Sequence, residues 1–159
     1  VDPSAEDLAD IANATSDLYK RLMKKKPNIA FLSFSNFGSN THPQARKVKK
    51  AVSITKTKYP SLNVEGELQA DVAVNHRILD TLFEFSELDG PTDILIFPEL
   101  NSANTSYKLL QQLSEADAIG PILVPLNESV NIIQRTASVS EIVNMCTLTA
   151  LLSVKQKRK

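Results

Sequence analysis

Hydroxyls, amides and a glycine crowd the end of an apolar run in FLSFSNFGSN, Phe31 to Asn40. Ser33, Ser35, Asn36, Gly38 and Ser39 offer donors there, with open backbone N–H groups beside them, that suit a phosphate or a carbonyl oxygen. The same residues suit an ordinary polar turn ending in a Ser or Asn helix cap. No Walker lysine and no G-x-G-x-x-G accompanies them. A second such place is ILIFPELNSANTSY, Ile94 to Tyr107. Asn101 and Asn104 stand three apart, so on a helix they share a face. Either they meet a ligand, or Asn101 is an N-cap and Asn104 packs against a loop. Glu65, Glu67 and Asp71 gather three acids around a strand end, which suits a metal, a general base, or plain solvation or pairing with lysine. Arg135 follows the apolar NII and precedes a helix expected near Ser138. An Arg beside a helix N-terminus suits a phosphate clamp, and a surface ion pair equally. His42 and His76 lie far apart with no metal-ligand spacing, and no Ser-His-Asp or Cys-His arrangement follows from them.

The elements that must position these groups are legible as an alternation. Ser4 with Asp7 three residues on reads as a capping box, and Leu8, Ile11, Ala12, Leu18 and Leu22 recur at helical spacing up to about Lys25. NIAFLSFS is short, apolar and aromatic, as a buried strand is. Thr41 or His42 before Pro43 starts a second helix, carrying Ala45, Val48, Val52 and Ile54 to Tyr59-Pro60. LNVEGEL is a second strand, ADVAVNHRILDTL a third helix with Val72, Ile78, Leu79 and Leu82 on one side, and GPTD a turn. Ile94 to Phe97 is a third buried strand closed by Pro98, and SANTSYKLLQQLSEA a fourth helix. AIGPILVPL and VNIIQ form a short strand pair or a strand with an extended segment; SVSEIVNMCTLTALLSV is a last, strongly apolar helix. All four glycines fall at turns or strand ends. Strands alternating with helices predict an α/β three-layer α/β/α sandwich with a largely parallel sheet. In such sheets ligands bind beyond the carboxyl ends of the strands, which puts SFSNFGSN, EGELQAD, FPELNSAN and QRTAS around one cleft.

Composition narrows the function classes. The 159 residues suit one domain, and 18 basic against 18 acidic residues give no basic excess for nucleic acid. The dense basic runs, Lys20 to Lys26 and Lys155 to Lys159, end predicted helices, where cations suit the helix dipole. Cys146 stands alone in an apolar helical pattern and reads as a small core residue in a reducing compartment. No apolar run reaches the ~20 residues of a membrane span, and the acidic N-terminus is no signal peptide, so a cytoplasmic location is expected. VDPSAEDL lacks a starting Met, as in a piece cut from something longer.

FLSFSNFGS, VEGELQADVAV, ILIFPELNSANTSYKLLQQL, AIGPIL and QRTASVSEIVNM together resemble the phosphate acetyl/butyryl transferase family, through nearly the whole chain. SFSNFGS and the late VNM are similar in particular to the transferase-like C-terminal domain of bacterial multidomain NADP-dependent malic enzymes. The resemblance implies an isocitrate dehydrogenase-like fold in which two α/β subdomains enclose a cleft for coenzyme A esters and phosphate. This chain would supply the second subdomain, about 1–135, and a final helix, about 138–154, returning to a first subdomain that it lacks. Active family members carry a Ser-Arg-Gly-Cys-Ser-Asp-Glu-Asp type of stretch whose first Ser, Arg and last Asp serve catalysis. Here the stretch runs Gln134, Arg135, Thr136, Ala137, Ser138, Val139, Ser140, Glu141. Arg135 and Ser138 match; Gln134 replaces the Ser and Glu141, one methylene longer, the Asp.

A misplaced base and a lost donor can each cost ~100-fold, so little or no transferase activity is expected from these departures. The expectation is a non-catalytic regulatory and oligomerisation domain of a malic enzyme that binds acetyl-CoA, or coenzyme A, as allosteric inhibitor. Its ligand residues would be Ser35, Asn36, Gly38, Ser39, Asn101, Asn104, Arg135 and Ser138. Expected partners are a second copy, at least as a dimer, and the malic-enzyme domain of the same chain, with no nucleic acid and no membrane. NADP and a divalent metal belong to that malic-enzyme domain, and no cofactor to this chain. The alternatives are an active phosphate acetyltransferase, moving acetyl between coenzyme A and phosphate, and a purely structural dimer module.

Overall fold

Side chains alternate along β1 (Asn28–Leu32), and that alternation sorts the helices onto two faces. Ile29 and Phe31 meet α1 (Ala5–Met23) and α2 (Pro43–Lys58) in a cluster with Leu8, Ala12, Val48 and Val52. Ala30 and Leu32 meet Val72 and Ala73 of α3 (Ala70–Val74) and Leu79 of α4 (His76–Leu82) on the other. Phe31 is fully buried, and a side chain of that size contributes about 1.5–3 kcal/mol by leaving water. β2 (Asn63–Leu68) and β3 (Ile94–Ile96) pair with β1 in parallel, in the order β2-β1-β3. The layers are therefore helix, sheet, helix, as the alternation of the sequence predicts. The computed structural model describes residues 1–114, 118–126 and 128–154. The chain divides into two units, 1–108 and 109–159, and the sheet lies in the first.

Local chemistry sets the element ends. The Ser4 hydroxyl accepts from the Asp7 amide at 3.1 Å and Asp7 accepts from the Ser4 amide at 2.9 Å, closing the predicted capping box. His42 caps α2 and Pro43 takes its first position. The predicted third helix is in fact two. Asn75 breaks it by adopting a non-helical conformation, its side chain accepting from the Ile78 amide at 3.4 Å. Leu82 consequently stays 64% exposed instead of joining the apolar side. α5 (Leu100–Leu113) starts two residues before the predicted helix, and the last two residues of that prediction, 115 and 116, lie outside the described residues. Gly66 lies inside β2, not at a strand end. The basic tail 155–159 also lies outside the described residues.

In the second unit the predicted strand pair reduces to one antiparallel bridge, Ile122 to Asn131. α6 (Val139–Ser153) follows, with Ser138 and Glu141 forming its capping box. Of its side chains only Met145 is buried, while Val143 and Leu151 are more than half exposed. Cys146 is exposed too, so the expectation of a core cysteine fails: on a helix it is one step round from the buried Met145.

Asp93 ties the first unit together below the strands. It accepts from the Tyr19 hydroxyl at 2.6 Å, the Lys25 ammonium at 2.8 Å and the Asn28 amide at 3.0 Å. Burial alone would raise its carboxyl, but these three bonds outweigh it and hold the group below its ordinary 3.8. The same contact with Asp93 pushes Lys25 up to about 12. A carboxyl depressed on folding adds stability that is present above its unfolded value and is lost as pH falls through its folded value. Unfolding in urea should therefore become easier below about pH 4, and Asp93→Asn should flatten that acid limb. An unchanged acid limb in the variant would remove Asp93 from the account.

Candidate functional site

Because β1 is central, the chain leaves it through α2 towards β2 on one side, while β3 lies on the other. The crossovers part at the carboxyl ends of β1 and β3, the position where open α/β sheets bind ligands. A cleft of about 650 Å³ opens there. Its walls include Ser33 and Phe34 after β1, Gln44 and Lys47 of α2, and Glu99 and Asn101 at the start of α5. The volume suits a ligand of metabolite size.

The loop after β1 is held from inside. The fully buried Ser35 hydroxyl donates to Glu67 Oε1 at 2.9 Å, accepts from the Asn40 amide at 3.0 Å and lies 3.1 Å from the Ser39 hydroxyl. The Gly38 amide also donates to Glu67 Oε1, and the Phe37 amide donates to the Glu67 carbonyl at 2.8 Å. Asn36 accepts from the Gln69 amide at 2.7 Å and donates its own amide to Ser39 at 3.0 Å. Ser35, Asn36, Gly38 and Ser39 thus share one loop, where Ser35 and Gly38 are bonded to Glu67 and the Asn36 side-chain oxygen to the Gln69 amide. The cleft is faced instead by Ser33 and Phe34.

The N-terminus of α5 is closed by its own chain. Glu99 accepts from the amides of Asn101 and Ser102, each at 2.6 Å. Hydrogen bonding from Ser102, and then from the Asn101 amide, holds the Glu99 carboxyl below the usual range. Asn101 is therefore inside the helix and is not its cap; a carboxylate two residues earlier takes that place, the anion that the helix end favours. Asn101 lines the cleft, and Asn104 is exposed one turn on. Lys47 was missed in the sequence. Its ammonium donates to Asp2 at 2.7 Å and to the Pro98 carbonyl at 3.0 Å, and the contact lowers the Asp2 carboxyl. The signal was present, since Lys47 adjoins the buried Val48 at the edge of the apolar stripe of α2.

The three acids have separate tasks. Glu65 pairs with Lys56 at 2.5 Å, Glu67 serves the loop and Asp71 is exposed. Among the described residues no group of three or more His, Cys, Asp or Glu is placed to hold a metal ion. His42 caps α2, and His76 lies 3.3 Å from Asp80 on α4. In the second unit, residues 134–137 turn through the Ala137 amide bonding to the Gln134 carbonyl at 3.1 Å. That turn leaves Arg135 exposed just ahead of α6. The Ser138 hydroxyl accepts from the Glu141 amide at 3.2 Å, and Glu141 accepts from the Ser138 amide at 2.7 Å. No described helix is long and apolar enough to cross a membrane.

The first unit is a parallel α/β layer with a switch-point cleft, and in the second an exposed Arg135 precedes a capped helix. Over residues 1–150 the chain matches the phosphate acetyl/butaryl transferase family, and it belongs to that family. It is 38% identical over 149 residues to a phosphate acetyltransferase of Clostridium acetobutylicum, covering 94% of this chain and 45% of that protein. The crystal structure of a phosphotransacetylase from Streptococcus pyogenes superposes with a TM-score of 0.89 at 38% identity, covering 98% of this chain and 47% of that one. The chain thus spans about half the length of these relatives. An NADP-dependent malic enzyme of Rhizobium meliloti is 37% identical over 148 residues, covering 93% of this chain and 19% of that protein.

These comparisons overturn the expectation of a non-catalytic regulatory domain of a malic enzyme. Phosphate acetyltransferases match the chain in sequence at least as well as the malic enzyme does, and solved phosphotransacetylases share its fold. The expectation rested on the SFSNFGS and VNM resemblance and on two departures that keep part of the chemistry. Gln134 keeps a hydrogen-bond donor, and Glu141 keeps a carboxylate.

Proposed function

We propose that the chain is the second half of an active phosphate acetyltransferase, moving an acetyl group between coenzyme A and phosphate. The observation that carries the reading is the agreement with the S. pyogenes phosphotransacetylase over 98% of the chain. In this reading a phosphate oxygen attacks the thioester carbonyl carbon of acetyl-CoA. The new C–O bond forms, the C–S bond breaks, and the departing thiolate takes the proton that the phosphate hydroxyl gives up. Arg135, exposed ahead of α6, grips phosphate and the oxyanion that develops on the carbonyl. Gln134 donates beside it, and Glu141 carries the proton once it leaves its cap. Within the first unit, the switch-point cleft with Lys47 and Asn101 offers a surface suited to part of a coenzyme A ester. A first subdomain and a second copy complete the assembly, and the exposed apolar residues of α6 support that.

The test supplies acetyl-CoA and inorganic phosphate to the complete polypeptide and follows free thiol and acetyl phosphate together. Equal, saturable formation of both is expected. Thiol release that does not need phosphate would mean thioester hydrolysis, and no release at all would sink the reading.

A further inference from the structure

Glu67 is a carboxylate only 1% exposed, and among the described residues no cation pairs with it. It is the extra residue of a bulge, since Phe31 pairs with Gly66 and Leu32 with Leu68. The bulge sits at the carboxyl end of β2 and turns this one side chain beneath the neighbouring loop. There Oε1 takes both the Ser35 hydroxyl and the Gly38 amide, while the backbone carbonyl takes the Phe37 amide. Oε2 is buried and has no hydrogen-bond partner among the described residues. Phe37 and Gly38 are both left-handed, with φ of 45° and 86°. A bulky residue such as Phe37 keeps that conformation only where its surroundings enforce it. The residues so held lie directly after Ser33 and Phe34, which line the cleft.

We propose that Glu67 is a positioning residue for the transfer reaction: through Ser35 and Gly38 it fixes the loop that presents Ser33 and Phe34 to the substrate. The proposal rests on the transferase reading. Glu67 touches no substrate; it acts as a two-way acceptor under the loop. Geometry, more than charge, carries the effect, because one oxygen receives both donors.

Glu67→Gln and Glu67→Ala in the complete polypeptide test this. The amide oxygen of Gln accepts the same two bonds, and no donor is lost at Oε2, so KM for acetyl-CoA should stay within about threefold. Ala takes the acceptor from the buried Ser35 hydroxyl and the part-buried Gly38 amide, and KM should rise about tenfold or more, with kcat changing much less. Amide hydrogen exchange should quicken at Gly38 and Asn40 in Glu67→Ala, while the amides of β1 and β3 hold. A lowered melting temperature with unchanged KM would reduce Glu67 to a structural role and overturn the proposal. Damage in Glu67→Gln equal to that in Glu67→Ala would overturn it too, by showing that the charge is what matters. Failure of the transferase reading looks different: the unmutated protein itself would make no acetyl phosphate.

Discussion

Arg135→Ala should lower kcat/KM for acetyl phosphate formation about a hundredfold or more, the loss seen when one donor to a developing oxyanion is removed. The guanidinium offers a planar fork that matches two phosphate oxygens, and its charge opposes the charge that builds on the carbonyl. Arg135→Lys keeps a point charge and loses the fork, so it should recover part of the rate. The fold should not register either change. Arg135 is exposed at a turn, and among the described residues no carboxylate pairs with it, so the stability change should stay within about 0.5 kcal/mol. Steady-state rates beside urea midpoints separate the two effects. Activity of Arg135→Ala within about threefold of the parent would take the anion-gripping role away from this residue.

How much of this was legible in the sequence depends on the range over which each signal acts. The capping box of Ser4 and Asp7, the Pro43 start and the apolar runs of β1 and β3 are local, and they gave the α/β alternation. The break at Asn75 was less legible, because an Asn inside a helical apolar pattern costs little until its side chain finds the Ile78 amide. The candidate site divides in the same way. Its place at the strand ends followed from topology alone. Which side of each residue faces the cleft did not. Ser35 looks like a ligand group in the sequence, but its hydroxyl is spent on Glu67, 32 residues away. Glu67 looks like one of three solvated acids, and only a bulge between Gly66 and Leu68 turns it inward. Lys47 reads as a surface lysine until Asp2 and Pro98 close on it.

The bulge makes Gly66 the most exposed point of that arrangement to mutation. Its φ is +145°, and a Cβ there would lie 2.8 Å from the Phe31 carbonyl oxygen, 3.0 Å from Phe31 Cβ and 3.2 Å from Val52. The first contact is backbone of the central strand and the others are buried core, so none of them yields cheaply. Overlap and an unfavourable φ act together, and Gly66→Ala should cost roughly 3 kcal/mol or more. That is a large share of the ~5–15 kcal/mol that holds a typical domain. The melting temperature should fall by about 10 °C or more. Gly90→Ala is the control, since its Cβ would meet nothing closer than Asn28 at 3.5 Å. There the change should remain within about 0.5 kcal/mol. If Gly66→Ala melts within about 2 °C of the parent, β2 can slide against Phe31 without loss. The bulge would then be too soft to aim Glu67 at the loop, and the positioning of Ser33 and Phe34 would need another source.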